Sequence, residues 1–286
     1  MKNKDFSRSA FGDLDEFARI IPGNVIVVGG RPSMGKSSFL QDMAVEWASQ
    51  GKKITYWDMQ VSTEERMKMM LSSYSEVEMD KVISWWEYTD SENKDDFKLK
   101  TTGVEYQRII SQMNEMQQWT IEFPQDINIY DWLKDSEMPD VLIIDSIQML
   151  MFSREMAIDI YILMNLLKRK AMETGMVVLI ASQISRNVDL RQGHRPTLSD
   201  LSDSSSLEEV SDKVFFLLRR EYYDVLDKPG QAELIIAKNR NGGIGTINLT
   251  FRKEIAQFAN WAPVTFYGYE GASKENEDPF SAFTPA

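Results

Sequence analysis

One stretch constrains this chain more than any other. The apolar run Asn24–Gly29 (NVIVVG) leads straight into Gly30-Arg31-Pro32-Ser33-Met34-Gly35-Lys36-Ser37, which fits G-x-x-x-x-G-K-[ST] without a mismatch. A buried strand, a glycine-bearing loop and a helix start in that order bring backbone N–H groups and a helix N-terminus to one point. That arrangement binds phosphate. Gly30, Arg31, Pro32, Ser33, Met34, Gly35, Lys36, Ser37 and Ser38 are therefore expected to cradle ATP. Lys36 would reach the β- and γ-phosphates, and the Ser37 hydroxyl would ligate Mg2+.

The rest of the chain supplies the frame such a loop needs. Lys53–Trp57 (KITYW), Val141–Asp145 (VLIID) and Met176–Ser182 (MVVLIAS) are nearly all apolar, as strands covered on both faces of a parallel sheet are. Lys213–Leu218 (KVFFLL) is a further strand. Ser37–Ser49 and Asp159–Thr174 have helical spacing, the second closed by Gly175. Glu233–Ala237 and Thr246–Phe251 flank Asn241-Gly242-Gly243-Ile244-Gly245 and predict a C-terminal β hairpin. The expected fold is thus one doubly wound α/β domain, a mainly parallel twisted sheet with flanking helices. Asp145, at the end of its strand, is placed to hold the metal through water. Residues 1–263 are taken as this domain. Residues 86–100 are expected to be a charged insertion, and 264–286 a flexible acidic tail.

Composition removes alternatives. Among 286 residues there is no Cys and a single His, His194, so disulfides, thiolate chemistry, Cys-ligated metals and any metal site with two or more His are excluded. A formal net charge of −12 argues against a sequence-independent coat on nucleic acid, though a locally basic cleft stays open. No stretch approaches 18 uncharged apolar residues, and the N-terminus has no apolar leader core, which predicts a cytoplasmic protein.

Several motifs, in order, resemble those of DnaB-type replicative helicases. Gly30–Ser37 resembles that family's A/G-R-P-S-M-G-K-T/S loop, and Ser9–Asp15 with Ile21-Pro22-Gly23 its leading segment. Asp145-Ser146-Ile147-Gln148-Met149-Leu150 resembles D-Y-L-Q-L-M, and Ser182-Gln183-Ile184-Ser185-Arg186 resembles S-Q-L-N-R. Arg195-Pro196 with Ser199-Asp200-Leu201 resembles R-P-x-x-S-D-L, and Lys238-Asn239-Arg240-Asn241-Gly242 lies in a match to G-K-Q-R-N-G-P-I-G-T. The similarity runs from about Ser9 to Pro263. It implies a RecA-like P-loop NTPase: an ATP-driven helicase motor acting on single-stranded DNA as a ring or helical homo-oligomer, usually a hexamer. ATP would sit between neighbours. Gln183 would sense the γ-phosphate, and Lys238 and Arg240 would reach across from the next subunit. A loader, a primase or another replication protein is an implied partner. The setting would be the cytoplasm, a host's if the protein is phage-encoded.

Departures from the pattern carry as much information. Aligned without a gap to S-L-E-M-S-A-E-Q-L, the run Asp58–Arg66 (DMQVSTEER) puts Gln60 at the family's catalytic glutamate. An amide cannot take a proton from water, so hydrolysis is expected to be impaired. Three accounts are open: a Glu→Gln exchange introduced to hold ATP, a shifted register in which Asp58 or Glu64 is the base, or a naturally inert site. The DNA-contacting loop, D-L-R-E-S-G-S-I-E-Q in the family, is here Asp200–Glu209 (DLSDSSSLEE). Ser202 stands for the arginine and Ser205 for the glycine, with Asp203 retained as an acid. Arg186, Arg191 and Arg195 lie just upstream; Arg186, Arg195, Ser202, Asp203 and Ser205 are the expected DNA contacts. Nothing resembles the family's N-terminal helical domain, so oligomerisation is expected to rest on the motor interface or a partner. The alternative function is an ATP-binding assembly or recruitment protein of the same fold that does not unwind DNA.

Overall fold

The computed structural model describes residue 6 and residues 8–89, 103–124, 128–134, 137–151, 159–201 and 204–261. In chain order these form α1 (Gly12–Ala18), β1 (Val25–Gly30), α2 (Lys36–Ser49), β2 (Ile54–Asp58), α3 (Thr63–Ser75), α4 (Met79–Thr89), α5 (Gly103–Met116) and β3 (Ile121–Glu122). There follow α6 (Ile129–Trp132), β4 (Val141–Asp145), α7 (Ile147–Met151), α8 (Ile160–Thr174), β5 (Val177–Gln183), α9 (Ser204–Val210) and β6 (Lys213–Leu218). The chain closes with β7 (Gln231–Asn239), β8 (Gly245–Arg252) and β9 (Gln257–Asn260).

Among the described residues nine strands make one sheet, ordered β3-β2-β4-β5-β1-β6-β7-β8-β9. From β3 to β6 the pairings are parallel; β7, β8 and β9 add in antiparallel fashion at one edge. This is the RecA-like sheet that the motifs implied. Both faces of the parallel part are covered, and the two-residue period of the strands divides their side chains between them. Ile26, Val28, Val141 and Ile143 pack with Phe39, Leu40 and Met43 of α2 on one face. Val25, Val27, Leu142 and Ile144 pack with Leu163, Met164 and Leu167 of α8 on the other.

Helix ends follow local chemistry. The Asp159 side chain accepts from the Ile162 N–H to start α8, and Gly175, at φ 72°, ends it in the left-handed conformation. Ser62 caps α3 by accepting from the Glu65 N–H. The predicted charged insertion begins differently from expectation: residues 86–89 continue α4, and the half-buried Trp86 packs on the core. Residues 90–100 of that stretch, and the predicted tail at 264–286, lie outside the described residues. No described helix is long and apolar enough to cross a membrane.

A buried carboxyl ties the frame together. Asp42 of α2 accepts from the Phe258 N–H of β9 at 2.7 Å and from the Ser73 hydroxyl of α3 at 2.8 Å. Burial pushes its pKa up to about 8, against the pull of those two donors. Because the folded value lies above the unfolded one near 4, folding takes up a proton between about pH 4 and pH 8, and stability falls across that window. Asp42→Asn is therefore expected to gain about 1–3 kcal/mol at pH 8 and nearly nothing at pH 4. Urea unfolding of both chains at the two pH values checks this; an advantage equal at both would refute it.

Candidate active site

The phosphate loop emerges at the carboxyl end of β1, where Gly30 pairs in register with Gln183 of β5. A Cβ on Gly30 would lie 3.3 Å from the Leu217 carbonyl oxygen. Gly35 caps α2 at φ 91°, and a Cβ there would lie 2.7 Å from the Phe258 ring, so two independent constraints demand glycine. The buried Lys36 donates from Nζ to the carbonyls of Gly30 at 2.9 Å and Arg31 at 3.1 Å. Desolvation lowers its pKa to about 8, opposed by Asp145 and reinforced by Arg31. Ser37 and Ser38 open α2 half-buried, and Pro32 and Ser33 face solvent. The loop is thus already wound around its ammonium group and can exchange carbonyl partners for phosphate oxygens.

The loop is held from outside as well. Arg31 forks onto Asp189 at 3.0 and 3.1 Å, and Asp189 also accepts from the Tyr223 hydroxyl at 2.9 Å. Tyr223 stacks on His194 with ring centroids 3.8 Å apart. Arg219 donates to the Ser33 carbonyl at 3.1 Å, and its guanidinium lies 3.8 Å over the Phe251 ring. Neither Arg219 nor Phe251 is singled out by the sequence. The only available signal was an arginine directly after a strand that neighbours β1.

Asp145 is fully buried at the end of β4, beside β2. Its Oδ1 accepts from Gln60 Nε2 at 2.9 Å. Its Oδ2 accepts from the Tyr56 hydroxyl at 3.3 Å and lies 3.5 Å from Arg66 Nη2. Burial raises its pKa, while the Ser37 hydroxyl, Arg66 and Lys36 pull it down. Lys36 and Ser37, Gln60 and Asp145, from three separate stretches of sequence, therefore meet at one point. Asp58 is committed elsewhere: Oδ2 binds Arg66 Nε at 2.5 Å, and Oδ1 accepts the N–H groups of Gln60 and Val61. Glu64 is exposed and pairs with Lys68 at 2.6 Å. Gln183 is exposed at its strand end, its N–H bonded to Gln148 Oε1 at 3.1 Å. A triphosphate fits this cradle of backbone and lysine, and Ser37 with Asp145 offers the hard oxygen set that Mg2+ prefers.

Lys238 and Arg240 lie at the other end of the sheet. Asn239 pairs with Lys213, which pairs with Ile26, four residues before Gly30. At ~3.3 Å per residue they stand about 13 Å back along the strands from their own phosphate loop. There Lys238 donates to the Glu208 carbonyl and Arg240 to that of Glu209 at 2.5 Å, at the end of α9.

The expected DNA contacts divide. Arg186 is exposed at the start of a short 3-10 turn at the phosphate-loop edge and forms no ion pair among the described residues. Arg195 is engaged by Glu233 at 2.5 Å and by the Thr246 hydroxyl, and Arg191 by Asp200 at 2.7 Å. Ser205 falls within α9; Ser202 and Asp203 lie outside the described residues.

Comparison with known proteins places the chain in a family. The family described as DnaB-like helicase C terminal domain matches residues 8–260. A replicative DNA helicase DnaB of Buchnera aphidicola subsp. Baizongia pistaciae is 30% identical over 254 residues, covering 84% of this chain and 52% of that protein. A probable plasmid replicative DNA helicase of Chlamydia psittaci is 27% identical over 266 residues, covering 87% and 54%. The chain spans about half the length of the curated relatives it matches. Among solved structures, one described as an ATPase domain superposes with a TM-score of 0.77 at 26% identity, covering 91% of this chain and 93% of that one. A DnaB-like replicative helicase, described with its interactions with primase, gives the same TM-score and identity over 92% of this chain and 65% of its own.

Proposed function

The chain belongs to the DnaB-like helicase C-terminal domain family, and on that premise we propose that it is an ATP-dependent motor domain that moves along single-stranded DNA as a homo-oligomer, a hexameric ring being the expected form. The observation that carries the oligomer is the placement of Lys238 and Arg240. They sit at the sheet end opposite their own phosphate loop, so the phosphate they could reach is a neighbour's. A cation supplied in trans can be worth about 10³–10⁵ in rate. Within one protomer the loop N–H groups and Lys36 would hold the triphosphate, Ser37 and Asp145 (through water) would hold any Mg2+ that accompanies it, and Gln183 would lie toward the γ-phosphate end. When bound, the metal supplies charge neutralisation at the phosphates. Gln60 orients water without being able to take its proton, so turnover is slow. The replication setting is supported by relatives named as replicative helicases and a primase partner by the structure described with its interactions with primase; a loader rests on the motif resemblance alone.

DNA binding rests on Arg186, the cation of the loop edge that no described acid engages. Anisotropy of a labelled single-stranded oligonucleotide, with ATP present, should show affinity falling steeply with salt. Arg186→Ala is expected to weaken binding about tenfold and flatten the salt slope by about 0.7, one phosphate contact's share. Arg195→Ala, whose charge is already engaged by Glu233, should change the slope little. Salt-independent or absent binding would remove the DNA motor. The ATP-gated assembly role would then take its place, a reading that the Gln60 amide on Asp145 favours.

A further inference from the structure

Four positions that differ from the family patterns quoted above converge on one carboxylate. Asp58 stands for a serine, Gln60 for the glutamate, Arg66 for a leucine and Ser146 for a tyrosine. They come from the end of β2, from α3 and from the residue after β4, yet all of them border Asp145. Arg66 is nearly inaccessible, and each of its three guanidinium nitrogens faces a polar partner. Nε binds Asp58 at 2.5 Å, Nη2 lies 3.5 Å from Asp145, Nη1 donates to Gln41 Oε1 at 3.3 Å, and the plane sits 5.3 Å over the Tyr56 ring. Asp58 is the group that keeps it there, itself fixed by the N–H groups of Gln60 and Val61. Ser146 is buried beside Asp145 with its hydroxyl unpartnered. A single Glu→Gln exchange introduced to hold ATP would leave Asp58, Arg66 and Ser146 unexplained. The four together form a remodelled site.

A buried guanidinium beside the acid that should hold the metal has a physical consequence. Asp58 balances the charge of Arg66, but the guanidinium Nη2 and the Tyr56 hydroxyl crowd Asp145 Oδ2 while Gln60 Nε2 takes Oδ1, so the oxygens through which metal-bound water would be held are already engaged. We propose that Arg66, positioned by Asp58, is a resident cation at the metal end of the nucleotide site, so that this chain binds adenine nucleotide with little dependence on a divalent ion. Arg66 is a positioning residue for Asp145, and the pair sets metal dependence. The inference rests on reading Lys36, Ser37 and Asp145 as the nucleotide site.

The test is equilibrium binding of a fluorescent ATP analogue to the full chain, in Mg2+ and in EDTA, for wild type and for Asp58→Ser/Arg66→Leu. The double exchange removes both charges together and restores the family residues. Wild type should lose less than about fivefold in affinity on chelation, and the double variant about fiftyfold or more. A wild-type loss as large as the variant's overturns the proposal, as does weak dependence that persists in the folded double variant. If the double variant does not fold, Arg66→Lys takes its place. It keeps a charge but withdraws the second contact, and it should raise metal dependence; no change overturns the proposal. Absence of nucleotide binding in every condition would instead remove the nucleotide site itself, which separates the two failures.

Discussion

Gln60→Glu raises the steady-state ATPase rate by about 10²–10⁴-fold, the range a positioned general base contributes, with a further increase when single-stranded DNA is present. The geometry specifies why this position and not its neighbours. Gln60 Nε2 is 2.9 Å from Asp145 Oδ1, at the edge of the cluster that joins Lys36 and Ser37, and the side chain is solvent-accessible. Asp58 has both oxygens turned to Arg66 or to backbone N–H groups. Glu64 points to solvent with Lys68. A carboxylate at 60 adds a proton acceptor at an accessible position, while giving up the Nε2 hydrogen bond to Asp145. Measured against wild type by phosphate release, a flat response to both the substitution and DNA would assign the chain to nucleotide-gated assembly. Activity that rises but ignores DNA would keep the base and remove the track.

The second large effect is on stability. Arg66→Leu leaves Asp58 and Asp145, both buried, without their shared cation, and removing one partner of such a set typically costs about 3–5 kcal/mol. The side chains of Arg66, Asp58 and Asp145 are 3%, 1% and 0% exposed, so water screens the cluster little. Asp58→Ser combined with Arg66→Leu should recover most of the loss, since a charge pair replaced as a unit is often close to neutral. Urea midpoints for wild type, the single and the double variant, followed by circular dichroism, measure this. A single variant as stable as wild type would show that the pair contributes nothing, and a double variant as unstable as the single would place the loss in packing instead.

How far the sequence carried depended on how local each feature was. The phosphate loop was legible because strand, loop and helix are contiguous and Gly30, Gly35 and Lys36 each have one evident job. The bounds of α8 were legible from Asp159 and Gly175, a cap at each end. Strands β4 and β6 matched their predicted limits because their runs are apolar throughout. The last strand was missed: Gln257–Asn260 is short and mixed, and it is a strand only because β8 and Asp42 hold it. Residues 86–89 carry charge and aromatic rings that suggest a loop, yet Trp86 finds the core. Asp58 could be listed in sequence as a base; only the path of α3, which returns Arg66 to it, shows that it is occupied. Arg195 likewise looked free until β7 brought Glu233 alongside.

The contact between Phe258 and the phosphate loop has a temporal side. The ring of Phe258 fills the space against Gly35, its N–H reaches Asp42, and those residues are joined across 216 positions of chain. During synthesis the first half of the domain leaves the ribosome with its phosphate loop written but unroofed. The wall arrives only with the final strand. Contacts this remote form late because the chain between must first be ordered. A truncation before Phe258 would therefore produce a chain that carries the full loop motif without the ring that packs against Gly35.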